Sequence, residues 1–238
     1  MRKCVFVNNC YYIAISFFLS LFYCWVTNGS FLSENIDYEL FREVNGSIYG
    51  YSSLQSYFWI YMPIFFLFLM FLMKEERDYR TVRFKSRQVI AVDRIKVLGR
   101  AVGIILLPHF FVQILSNVVI FGGTSFLSGG YFFAEMLQAF NVAMVFAILG
   151  LCFGYAMLYM KKEASLFIML IGTLIFYFGN RIFLHYVLLR EMCVRDLIIG
   201  KNYQSYEFIF FAVKNMILFC VLARLTVMGL KETDLYEK

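Results

Sequence analysis

Six stretches of the chain are nearly free of charge: about 11–27, 54–73, 101–121, 136–160, 164–180 and 208–228. The segments between them hold most of the Lys, Arg, Asp and Glu. Each apolar run is about long enough to cross the ~30 Å hydrocarbon core of a bilayer as a helix rising 1.5 Å per residue. Backbone amides find no water in lipid, so helices, which satisfy them internally, are the default. The pattern therefore predicts an all-α, polytopic membrane protein with six transmembrane helices. Residues 1–238 form a single transmembrane domain, with neither an internal repeat nor a separable soluble part.

Composition removes the soluble alternatives. The chain is 61% hydrophobic and 16% charged, against roughly 25% charged in a soluble domain, and its mean hydropathy is +0.70. A water-soluble fold of this size could not bury 29 Phe, 17 Tyr and 12 Met. The net charge of +6 would point to nucleic acid in a soluble protein. Here the basic residues lie mostly in loops, so membrane topology accounts for them and no nucleic-acid partner is expected. Six cysteines, without a C-x-x-C pair or a nearby His at metal spacing, read as small hydrophobes. No cofactor or metal is expected.

The placement of Lys and Arg predicts orientation. Segment 74–100 holds nine of them, whereas loop 28–53 holds Arg42 and loop 122–135 none. Arg2, Lys3, Lys161, Lys162, Lys231 and Lys238 fall on the same side as the nine. The positive-inside rule then puts both termini in the cytoplasm of a multi-pass protein of the cell membrane. The run after Arg2 and Lys3 has no A-x-A-type cleavage site behind it, so it reads as a retained first span. Segment 181–207 departs from the charge pattern, with Arg181, Arg190, Arg195 and Lys201 on the side predicted to be outside. It reads as a surface-lying or re-entrant segment. The N-x-S triplets at Asn28 and Asn45 would accept glycans if their loop faced a lumen.

Leu127-Ser128-Gly129-Gly130 repeats the start of the signature loop of ATP-binding-cassette ATPases. A nucleotide site also needs G-x-x-x-x-G-K-[ST] to cradle phosphates, and the chain lacks it. The four residues fall between the third and fourth runs, on the side away from ATP, and read as a turn. The chain is not expected to be an enzyme.

The most informative polar stretch is 74–100, KEERDYRTVRFKSRQVIAVDRIKVLGR. As one continuous helix it would gather Arg80, Arg83, Arg87 and Arg94 within ~60°. Such a stripe fits anionic headgroups or a cytoplasmic partner. Its wording resembles the permease subunit of ABC exporters, where span two is followed by an acidic residue and a basic-hydrophobic run before span three. Glu76 stands for the acidic residue, then come Thr81-Val82-Arg83-Phe84, Ser86-Arg87 and Asp93-Arg94-Ile95-Lys96. The family's Gly before Thr is Arg80 here, and its Pro is Gln88. The resemblance implies that Glu76, Thr81, Arg83, Ser86, Arg87, Asp93 and Lys96 belong to an ATPase-coupling element. It also implies cytoplasmic ABC ATPase subunits as partners, with a second copy or a related permease completing the pathway. The apolar character fits export of a hydrophobic or amphipathic substrate, such as a peptide or lipid-like molecule.

Polar side chains inside apolar runs are costly in lipid and mark candidate sites. Gln113 and Asn117 are one turn apart, as are Gln138 and Asn141, and Lys214 lies in the last run. All five are candidates for a substrate path. Interhelical hydrogen bonding for the amides and snorkelling for Lys214 are the structural alternatives. Pro63 and Pro108 are expected to kink their helices, and Gly150 and Gly154 form a G-x-x-x-G that lets helices approach closely.

Two other classes share the topology. Glu75-Glu76-Arg77-Asp78-Tyr79-Arg80 fits the E-E-x-x-x-R motif and resembles CAAX-type intramembrane proteases. The accompanying F-x-x-x-H is missing, because Ile105 and Arg181 precede His109 and His185 by four residues. A non-transport role, as a bacteriocin immunity or sensor subunit, would need the same spans and no coupling element.

Overall fold

The computed structural model describes the backbone of residues 2–29, 50–80, 87–121, 131–183 and 205–232, together with residue 192. Side chains are described for 10–29, 50–73, 91–120, 131–178, 192 and 210–229. The LSGG turn, Asn45, Thr81, Arg83, Ser86 and most of segment 181–207 lie outside the described residues.

The described residues are helical apart from short connections at 50–53 and 160–161. The elements are α1 (Arg2–Asn28), α2 (Met62–Arg80), α3 (Arg87–Phe121), α4 (Tyr131–Tyr159), α5 (Lys162–Phe183) and α6 (Ser205–Glu232). A single helical turn, Leu54–Ser56, and a π-helical turn, Tyr57–Tyr61, lead into α2. Among the described residues, five stretches are long and apolar enough to cross a membrane: Cys10–Asn28, Leu54–Met73, Ala91–Ile120, Tyr131–Tyr159 and Phe210–Gly229. The chain thus has the character of a multi-pass membrane protein.

Helix α5, 22 residues long, covers the remaining predicted run; it is not among those five, its side chains being described only as far as residue 178. Other boundaries move. Helices α2 and α3 continue through 74–80 and 87–100, so most of the predicted loop is helical extension of two membrane helices. Helix α4 begins at Tyr131 rather than 136, which brings Glu135 into the helix.

The chain divides into two compact units. The first contains α1, the approach to α2, the part of α3 from Gly103 onward and α4 up to Val142. In it α1 turns a narrow stripe of small residues inward: Ser20, Cys24 and Asn28 are buried at four-residue spacing. Small side chains let one membrane helix approach another closely. Cys24, Tyr51 and Val112 form a buried cluster, with Phe17 and Tyr23 packed on it. Ser53 caps the first turn by accepting a bond from Ser56 N at 3.1 Å, the usual role of a serine ahead of a helix. Ser56 Oγ in turn bonds Gly50 O at 2.7 Å and shares a bond with Tyr23 Oη at 2.8 Å.

The π turn ends two residues before Pro63. A proline inside a helix withholds one amide hydrogen, and a local change of hydrogen-bond register is one way to absorb that loss. Pro108 is carried within the continuous helix α3.

The second unit contains α2, α5, α6, the first part of α3 and α4 from Ala143 onward. Helix α5 packs on α2. The core is aromatic: Phe65 meets Phe146 edge-on at 5.2 Å, and Phe66 meets Phe153 at 5.5 Å. Gly150 sits against Leu98 and Phe65, Gly154 against Met73, and Gly229 against Leu158 and the Tyr155 ring. The G-x-x-x-G of α4 therefore lies in contacts within this chain.

Candidate functional site

One face of α3 carries His109, Gln113 and Asn117, each a turn after the last. All three are buried, and so are Glu135, Gln138 and Asn141 on α4. They belong to the first unit. Buried polar groups are normally paired, because desolvation without a partner costs about 1–3 kcal/mol each. Two of the three α3 side chains find that partner on α4. Gln113 Nε2 donates to Glu135 Oε2 at 2.6 Å, and Asn117 Nδ2 donates to Glu135 Oε1 at 3.3 Å. Both carboxyl oxygens are engaged by amides one turn apart, so the pair clasps α3 to α4. Gln113 Oε1 is left without a partner, and neither amide atom of Asn141 has one.

His109 occupies a cage of rings. Tyr51 stacks on it with centroids 4.5 Å apart, and Tyr61 meets it edge-on at 4.5 Å. Tyr57 Oη and His109 Nε2 share a hydrogen bond at 3.2 Å. The π turn starts with Tyr57 and ends with Tyr61, and both rings contact this histidine. Tyr51 Oη also donates to the His109 carbonyl at 3.0 Å. Burial pushes the Tyr51 phenol well above its ordinary value of 10.0, so it stays a neutral donor. The bond's contribution is fully present below about pH 10 and is lost only as pH rises through the folded value. Tyr51→Phe removes the donor and should lower stability by about 1 kcal/mol. Thermal unfolding of the detergent-solubilised protein at neutral pH would show this as a lower midpoint.

The predicted path residues thus separate. Gln113 and Asn117 converge on Glu135, while Gln138 and Asn141 lie buried further along α4. Lys214 belongs to the second unit, half-buried, with its ammonium 5.7 Å from the Phe211 ring centroid. That is a cation–π contact. Of the predicted coupling residues, Asp93 is half-buried and Lys96 exposed on α3. Glu76 lies on the backbone of α2 and Arg87 opens α3, with their side chains outside the described set. Among the described residues no group of three or more His, Cys, Asp or Glu could hold a metal ion. Asn28, which opens the first N-x-S triplet, is buried, and its Nδ2 faces Cys24 Sγ at 3.7 Å.

No protein-family model, no curated protein and no solved structure matches this chain. The geometry therefore stands on its own chemistry: a carboxyl held by two amides, with a caged histidine one turn before the first of them on α3, inside helices apolar enough to span a membrane.

Sequence reasoning missed Glu135 and His109. Glu135 interrupts the hydropathy of its run, so hydropathy starts that run one residue after it. His109 matches no sequence motif, since Ile105 stands where a protease F-x-x-x-H needs Phe. The signal that could have found both is the spacing His109–Gln113–Asn117, a polar face that needs an opposing partner.

Proposed function

We propose that the chain is the membrane-spanning permease subunit of an ATP-driven ABC exporter. All six helices cross the bilayer, and both ends lie in the cytoplasm. Two permease subunits, identical or related, would enclose a path for a hydrophobic or amphipathic substrate. Separate cytoplasmic ATPase subunits would supply the energy.

The observation that carries this reading is the continuity of α2 and α3. Each extends beyond its apolar span, α2 to Arg80 and α3 back to Arg87, leaving six residues, 81–86, between them. A partner that grips this basic junction holds the ends of two membrane helices. Hydrogen-bonded helices transmit displacement along their axes better than a flexible linker does. The Gln113–Asn117–Glu135 clasp then ties α3 to α4, so movement entering α3 is passed to a third helix.

The test is purification of the tagged protein in mild detergent with identification of what comes with it. An ATPase should co-purify with the native chain, and Arg83→Glu/Arg87→Glu should reduce its recovery at least about tenfold, since reversing two rim charges places like charges together. Absence of any ATPase, or unchanged recovery with the double variant, overturns the reading.

A further inference from the structure

Of the four arginines predicted to form one stripe, Arg94 alone has a described side chain, and it is half-buried with Nη1 enclosed. The exposed cations described on α3 are Lys96 and Arg100. They stand one turn apart and within about 40° of one another around the helix. Among the described residues Lys96 has no acidic partner. Asp93, nearly a turn before Lys96, is half-buried, and its single charge cannot balance two cations. This face of α3 therefore presents net positive charge.

Depth gives the pair a meaning. The apolar stretch Ala91–Ile120 has 30 residues, about 45 Å of helix, of which hydrocarbon takes ~30 Å. Residues 101–120 contain no Lys, Arg, Asp or Glu, so they fill the hydrocarbon and leave 91–100 at headgroup depth. Arg100 then stands at the boundary and Lys96 about 6 Å further out. Gly99 lies beside Arg100, exposed, and a Cβ there would meet nothing within 4 Å. Two cations above an open furrow match an anion that carries an apolar tail.

We infer that α3 binds one anionic phospholipid: its phosphate accepts hydrogen bonds from Lys96 Nζ and the Arg100 guanidinium, and one acyl chain descends over Gly99. The guanidinium fork suits a phosphate, and the contact spares Arg100 a bare charge at the edge of hydrocarbon. The site requires neither an ATPase nor transport.

Leu107 lies seven residues past Arg100 on the same face, two turns deeper, and is 72% exposed. Leu107→Trp therefore reports on the acyl chain without crowding the core. It is made in a chain whose two native tryptophans, Trp25 and Trp59, are replaced by Phe; Trp25→Phe alone leaves Trp59 as the control. Both chains are reconstituted in phosphatidylcholine vesicles, with acyl-brominated phosphatidylglycerol or acyl-brominated phosphatidylcholine as the quencher. The fluorophore at 107 should report about a tenfold preference for phosphatidylglycerol, the order expected of two basic groups at an anionic surface. Trp59 should report less than about twofold. Lys96→Gln/Arg100→Gln should bring the preference at 107 down to the Trp59 value, and the charge-keeping Lys96→Arg/Arg100→Lys should retain it. Gly99→Leu keeps both cations and meets open space, yet should cut the preference at least about threefold, because diffuse attraction does not depend on the furrow. A preference that survives either Lys96→Gln/Arg100→Gln or Gly99→Leu overturns the site. If it survives the double substitution while a co-purifying ATPase is lost, the pair docks a protein and not a lipid.

Discussion

Replacing Glu135 with alanine should cost this protein more stability than any other single polar substitution described here. The change leaves Gln113 Nε2 and Asn117 Nδ2 buried without their acceptor. It also opens a void where a carboxyl was packed. Interhelical hydrogen bonds in membranes are individually modest, averaging about 0.6 kcal/mol. Orphaning two buried donors is a different matter, at about 1–3 kcal/mol each, so a total of roughly 3 kcal/mol is expected. Glu135→Gln should be mild by comparison. Gln113 Oε1 has no partner at present, so the Gln113 amide can turn over and accept a hydrogen from the new carboxamide. The measurement is the unfolding midpoint of each variant in detergent or bicelles. Equal losses for the two substitutions would show that the carboxylate's charge, not a single acceptor oxygen, holds α3 to α4.

The second large effect is expected at Gly150. A Cβ there would collide with Leu98 Cδ1 and come within 3.0 Å of Phe65 Cζ. Both neighbours are buried, so neither can swing into open space. Overpacking of this kind costs about 1–3 kcal/mol, and Gly150→Ala should lower the unfolding midpoint accordingly. Gly154 is the internal control. Its added Cβ would meet Met73 Cε at 3.4 Å, an ordinary contact with the tip of a flexible side chain. Gly154→Ala should be neutral or slightly stabilising, because alanine is the better helix former by up to about 1 kcal/mol. If the two glycines instead formed a seam between copies of the chain, both substitutions would weaken self-association. Sedimentation in detergent beside the melting curves separates the two cases.

These expectations mark where the sequence was legible and where it was not. The helices could be read directly, because a bilayer demands long apolar runs and only those runs carry that composition. What failed was their ends. Hydropathy stops a span at its first charge, so Glu135 was placed outside α4 and Asp93 outside the span of α3, although both lie within helices. Hydrogen bonding continues a helix past the point where its side chains become polar. The same effect turned segment 87–100 from a loop into the first turns of α3.

Partner choice was beyond the sequence for a separate reason. The pairs Gln113–Asn117 and Gln138–Asn141 look alike on paper, each an amide pair on an apolar helix. Only the packing of α3 on α4 gives the first pair an acceptor and leaves Asn141 without one. Likewise Gly150 and Gly154 form one motif in sequence, yet Leu98 and Phe65 crowd the first while Met73 merely touches the second. The all-helical, membrane-spanning character was set by hydropathy and chain length alone, since transfer into lipid is a property of each segment by itself. Which buried polar groups meet, and where a methyl group no longer fits, was decided by tertiary structure, because those depend on atoms far apart in the chain arriving at the same place.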